Sequence, residues 1–181
     1  AIDYNTLGLP EAREHLSQMA TNAIAANKTD KAVLELYDFA VQQMKEQLVK
    51  KEDTRHHAFL SSLYSAKGDY ENALIEQKKA LETSPKKQLL MFQVVASNII
   101  LGNFDEALPV AKRAYELAPE YMKAQAAYIY AATFAGETDI IEKITEDHPD
   151  VYLDDLVLSA FSTKKYHSGV FDLWKYRYGK D

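Results

Sequence analysis

Five histidines are the side chains of this sequence best suited to metal or proton chemistry: His15, His56, His57, His148 and His167. A helical zinc site of the HExxH kind needs two imidazoles that face one ion from the same side of a helix. None of the five has that spacing. His56 and His57 are adjacent, and adjacent helical side chains point about 100° apart, which disfavours a shared ion. The repeat register described below places His57 half-buried and His56 at the surface. The acidic stretch 146–150 (EDHPD), followed by Asp154 and Asp155, could attract a cation. It lacks the alternating ligands and central glycine of a calcium loop, and it reads as a solvated helix boundary. Nucleophile elbows, glycine-rich phosphate loops and convincing acid–base pairs are missing from the sequence. Asn98 reads as structurally hydrogen-bonded rather than catalytic. With no cysteine, disulfides, thiol nucleophiles and zinc–thiolate sites are excluded, while the compartment stays open. The expectation is a chain with no catalytic residue, no metal and no cofactor.

The elements that would position any site are organised around residues 54–121, where one pattern occurs twice at a 34-residue step. Gly68 lies over Gly102, Tyr70 over Phe104, Ala73 over Ala107, Ala80 over Ala114 and Pro85 over Pro119. Each copy predicts a helix, a glycine turn, a second helix, and a proline opening the helix that follows. Gly68 and Gly102 supply the left-handed residue that ends a helix with least strain. Asp69 and Asn103 follow as N-caps, and Asn103 with Glu106 has the form of a capping box. The paired alanines let two helices approach closely, and the prolines suit a first helical turn. A fixed period of this length marks a helical solenoid.

These columns resemble the tetratricopeptide repeat family, with one departure. The family favours a small residue where this chain has Ser61, Val95 and Ile129. The resemblance implies an all-α, right-handed superhelical solenoid of helix-turn-helix repeats, forming a single repeat domain over residues 1–181. Residues 1–9 read as a lead-in. An elongated repeat over about 10–53 follows at a shift of 41, with Leu16, Met19 and Ala23 under His57, Leu60 and Tyr64, and Ala32 under Ala73. After the clear repeats 54–87 and 88–121 comes a short one, 122–149, whose first helix ends at Gly136 and whose second covers 138–147 before Pro149. Ile141 replaces the alanine of Ala73 and Ala107 there. A terminal repeat over 150–181 carries Val170, Phe171 and Trp174 in its last helix; either Phe171 and Trp174 fold inward, or they form an apolar edge that meets a second copy or more of a longer protein. Pro109, inside its helix where the sister repeat has Ile75, predicts a local bend.

With no site chemistry in the sequence, function is expected to lie in surface. In the family's geometry the first helix of each pair lines the concave face. That column holds Arg55, Ala58, Ser62 and Ser65, then Leu89, Phe92, Ala96 and Ile99, then Lys123, Ala126, Tyr130 and Phe134. Ala58, Ser62, Phe92 and Ala96 occupy the places where relatives that grip acidic chaperone tails carry lysine, arginine and asparagine, so the resemblance implies no such clamp. What remains is an apolar strip of Leu89, Phe92, Ile99, Tyr130 and Phe134. It either packs against neighbouring helices and the lead-in, or receives a protein or peptide segment with apolar anchors. Tyr130 and Phe134 would also suit a sugar ring, with nothing specific to favour it. The lysine pairs Lys78–Lys79 and Lys86–Lys87 read as solvated faces and turns.

A net charge of −6 argues against a nucleic-acid surface. No apolar run is long enough to span a bilayer, and no signal peptide is visible. The chain begins at Ala1 rather than methionine, which reads as processing or excision from a longer protein. The opening YNTLGLPEAREHL, the SPKKQ junction at 84–88 and the closing helix with Trp174 are similar to the soluble tails of bacterial O-antigen polymerases and ligases. That resemblance implies an accessory domain tethered to a membrane, with catalytic residues elsewhere. A non-catalytic interaction scaffold and a polysaccharide-enzyme tail are therefore the two expectations.

Overall fold

At Gly68, Gly102 and Gly136 the backbone turns left-handed, with φ of 95°, 79° and 78°. After each glycine the next amide reaches back five residues: Asp69 N to Tyr64 O at 2.9 Å, Asn103 N to Asn98 O at 2.8 Å, Glu137 N to Ala132 O at 2.9 Å. This bond satisfies a carbonyl that the ending helix leaves without a partner. Its recurrence at the same 34-residue step makes the period in the sequence a period in hydrogen bonding. The computed structural model describes residues 9–151, and its regular elements there are eight α-helices with no strand. They are α1 (Leu9–Ala26), α2 (Lys31–Lys50), α3 (Thr54–Lys67), α4 (Tyr70–Thr83), α5 (Gln88–Leu101), α6 (Phe104–Leu117), α7 (Met122–Ala135) and α8 (Thr138–Asp147). The all-α, helix-turn-helix repeat class follows directly. The expected lead-in (its last residue, Leu9, opens α1) and the terminal repeat beyond Val151 lie outside the described residues.

The prolines sit differently from expectation. Pro85 and Pro119 do not open α5 and α7, which begin three residues later. They lie in turns closed by Lys87 N to Ser84 O at 3.1 Å and Tyr121 N to Ala118 O at 3.0 Å, and Pro149 repeats the arrangement with Val151 N to His148 O at 3.1 Å. Proline's fixed φ suits the second position of such a turn. The capping also divides. Asp69 accepts from Asn72 N at 3.2 Å, whereas Asn103 makes no side-chain cap bond because its amide turns back to Asn98 Oδ1 at 3.4 Å. The capping box expected there is not formed on the Asn103 side. Pro109 lies inside α6, and both it and Asp105 are exposed, so the carbonyl that loses its amide partner is close to solvent.

The chain divides into two compact units, Ala1–Leu90 and Met91–Asp181. In the first, α1 packs on α2 and α3, α2 on α3, and α3 on α4. Its core gathers Ala20, Ile24, Tyr37, Ala40, Met44, Leu60, Leu63, Tyr64 and Ala73. Burying each large member contributes about 1.5–3 kcal/mol. α2 has 20 residues against 14 in α4, and the buried column of α1 lies one residue away from the expected register. Ser17, Ala20 and Ile24 are buried in place of Leu16, Met19 and Ala23, and Met19 is 63% exposed. Arg13 sets this rotation, because α2 draws its guanidinium inward through Gln43 at 3.0 Å and through Gln47. Likewise Ala40 is fully buried and Ala32 is exposed. The surplus turns of α2 therefore come before its close contact with α1.

In the second unit α6 packs on α7 and α7 on α8, while α5 enters the core through Val95 and Ile99. Ala107, Ala111, Ala131 and Ala132 are completely buried, which keeps the helices close. Ser61, Val95 and Ile129, in the column where the family favours a small residue, are buried too. Ile141 and Ile144 fill the interior of the shorter α8. Asn98 is fully buried and serves the turn at Gly102 through its carbonyl and its Oδ1, a structural role.

Candidate interaction surface and the buried charges beneath the first repeat

The second unit carries most of the expected strip. Phe92 on α5 is half-buried, and its ring lies 6.1 Å from that of Tyr121, which is 41% exposed in the turn after Pro119. On α7, Tyr130 and Phe134 are one turn apart and meet edge to face at 5.1 Å. Phe134 also stacks on Phe104 of α6 at 5.4 Å. Both α7 rings rest partly on the core while retaining accessible surface. Two members of the strip behave otherwise. Ile99 is only 6% exposed and belongs to the core with Val95 and Ala107, because its side of α5 faces α6 and α7. It cannot present itself to a partner. Leu89 is 59% exposed and stands at the start of α5, at the end of the first unit, whereas Phe92 falls in the second. Val170, Phe171 and Trp174 lie outside the described residues.

A cleft of about 320 Å³ opens between α6, α7 and α8, lined by Lys112, Tyr115, Glu116, Tyr128, Ile140, Lys143 and Ile144. The Tyr115 hydroxyl and His148 Nε2 share a hydrogen bond at 3.0 Å, and the Tyr115 and Tyr128 rings lie 5.5 Å apart. Burial first, and then nearby Asp147, pushes the Tyr115 phenol above its ordinary range. Burial and Glu116 do the same to Tyr128, so both remain neutral at physiological pH. The rim lysines are already engaged on their own helices, Lys112 with Glu116 at 3.7 Å and Lys143 with Asp147 at 3.1 Å.

The first unit contains what sequence reading misses. Both His56 and His57 are buried, at 6% and 3% exposure, so the surface placement of His56 and the half-buried placement of His57 are corrected. Their helix is covered by α1 on one side and by α4 on the other. His56 Nε2 lies 3.9 Å from Glu14 of α1, and Glu14 is also paired with Arg55. His57 Nδ1 meets Glu76 of α4 at 2.5 Å, and its Nε2 meets Glu52 of the 51–53 linker at 3.4 Å. Lys79 reaches the other oxygen of Glu76 at 3.0 Å. The signal is present in the spacing. Glu76 and Gln77 stand between Ala73 and Ala80 on the buried stripe of α4, and Arg13 precedes Ser17, Ala20 and Ile24 on that of α1. No group of three or more histidines and carboxylates among the described residues is arranged to hold a metal ion.

No described helix is long and apolar enough to cross a membrane. In sequence, residues 57–87 match the tetratricopeptide repeat family, and no curated protein matches the chain. In structure, the chain is similar to MamA of AMB-1, at TM-score 0.55 and 16% identity over 82% of this chain and 98% of that one. A second MamA crystal structure aligns at TM-score 0.54 and 13% identity, over 91% and 98% of the two chains. TTC0263, a thermophilic tetratricopeptide repeat protein of Thermus thermophilus, aligns at TM-score 0.50 and 22% identity, over 81% and 89%. None of these three matches is to a polysaccharide polymerase or ligase, so the second resemblance gains no support. The likenesses carry the fold: this chain is built as tetratricopeptide repeat proteins are.

Proposed function

We propose that the chain is a protein-interaction scaffold without catalysis of its own, binding a peptide or helix through apolar anchors on the aromatic face of its second unit. The observation that carries this is the set of rings left accessible by a finished core: Phe92 beside Tyr121, and Tyr130 beside Phe134. Rigid aromatic side chains give large contact area at small entropic cost, and such residues dominate interface energetics. The repeat fold and the family match over 57–87 support the same reading, because stacked helix pairs offer an extended surface for a partner segment.

Selection from a displayed peptide library on the whole chain tests it. Selected peptides should carry spaced apolar residues, and a Phe92→Ala/Tyr130→Ala variant with unchanged circular dichroism should bind them about ten-fold or more weakly. Peptides that bind the variant as well as the parent would refute the assignment of this face.

A further inference from the structure

Resting on the reading of the aromatic face as a binding surface, we infer that this face also orients its partner. A protein segment binds it with an acidic end at Lys123 and a basic end at Asp105 and Glu137. The two helices that carry most of the rings are nearly without charge. α5 contains none, and the single charged residue of α7 is Lys123. The accessible stripe of α7 runs from Lys123 over Ala126 and Ala127 to Tyr130 and Phe134. At one end, Lys123 lies close in the chain to Tyr121, whose ring meets Phe92. At the other end, Phe134 stacks on Phe104. That contact brings the start of α6, with Asp105, to the end of the strip where the turn at Gly136 leads into Glu137.

Lys123, Asp105 and Glu137 are exposed, and none of them is held in an ion pair among the described residues. Glu137 stands at the N-cap of α8 without making a side-chain cap bond, and Asp139 in the first turn of α8 adds to the negative end. Glu120, which precedes Tyr121, turns instead toward His148 at 3.9 Å, on the side of the cleft. The strip thus has a cation at one end, carboxylates at the other and no charge between them.

A partner carrying both signs meets this polarity favourably in one direction only. Charge complementarity of this kind fixes direction and register more than it adds affinity, and like charges brought together reject the reversed segment. From Lys123 to Phe134 the helix advances about 16 Å. The opposite charges of the partner therefore stand about eleven residues apart if it binds as a helix, or about five if it binds extended. Its apolar anchors lie between them, over the two ring pairs.

Peptides selected from the displayed library on the whole chain are the probes. Their acidic residues should fall on one side of the apolar anchors and their basic residues on the other. Lys123→Gln should bind such a peptide about three-fold more weakly at low salt, and Asp105→Asn/Glu137→Gln about as weakly, with both losses shrinking at high salt. Lys31→Gln, an exposed position in the first unit, controls for net charge and should bind as the parent does. A nitroxide on the acidic end of the peptide should broaden the amide resonances of 122–124, and one on the basic end those of 134–138. Selection on a Lys123→Glu/Glu137→Lys variant should return the opposite charge order. Peptides that need Phe92 and Tyr130 but show no charge order, that bind Lys123→Gln as tightly as the parent, that lose as much on Lys31→Gln, or that place the broadening at the other end would overturn the orientation and leave the aromatic face standing. Peptides indifferent to Phe92→Ala/Tyr130→Ala would overturn both.

Discussion

The two units share one hairpin design and fill it with different chemistry. In the first, the buried polar residues include Arg13, Glu14, His56, His57 and Glu76, whereas the second buries Ser97, Asn98, Gln125, Thr133 and Thr145. Every buried arginine, histidine and carboxylate among the described residues is therefore in the first unit. The second closes its helices with fully buried alanines and isoleucines. The contrast shows that the repeat period fixes where helices begin and end, while the interior between them can be apolar or ionic. An apolar interior fails by misfit. An ionic one fails when a partner is removed, because the remaining charge stays buried.

Substitutions that break this contrast should scale accordingly. The largest effect is expected for Glu76→Ala, which leaves His57 and Lys79 without their shared carboxylate. Stability should fall on the order of 3 kcal/mol, read from denaturant midpoints. Next comes Ala107→Leu in the second unit. Ala107 has no exposed surface, so the added carbons force the helices apart at about 1–3 kcal/mol, and a thermal melt equal to the parent's would contradict the packing described. Gly102→Ala should cost about 1 kcal/mol. Its φ is +79°, and an added Cβ meets nothing within 4 Å, so the loss is backbone strain alone and should appear without any change in near-ultraviolet circular dichroism. The smallest effect belongs to Lys112→Ala. Its pairing with Glu116 is more than half exposed on both sides, and stability should move by no more than about 0.5 kcal/mol, and by less at high salt.

The middle of the fold is legible in the sequence because its signals are local. A left-handed residue between two helices selects glycine, and three glycines at one step mark three turns. The ends of α7 and α8 follow from Gly136 and Pro149 in the same way. What stays hidden depends on rotation about helix axes. Leu16, Met19 and Ala23 form a plausible apolar column, yet Arg13 turns α1 so that Ser17, Ala20 and Ile24 face inward. His56 reads as a surface residue because its charged partner on α1, Glu14, is distant in sequence. Ile99 misleads for the opposite reason: a spacing that fits the accessible column also borders the core, and only tertiary packing separates the two. Phe92, Tyr130 and Phe134 can be named from spacing, whereas Tyr121 cannot, since its place beside Phe92 comes from the turn at Pro119.

Chemical-shift mapping is the sharpest check on the aromatic face as a binding surface. A peptide selected for apolar anchors is titrated into the isotopically labelled whole chain, and the amide and aromatic resonances are followed. The largest shifts should occur at Phe92, Tyr121, Tyr130 and Phe134, while Tyr115, Tyr128 and Ile140 in the cleft beside α8 stay in place. Largest shifts in that cleft, or in the first unit alone, would contradict the assignment.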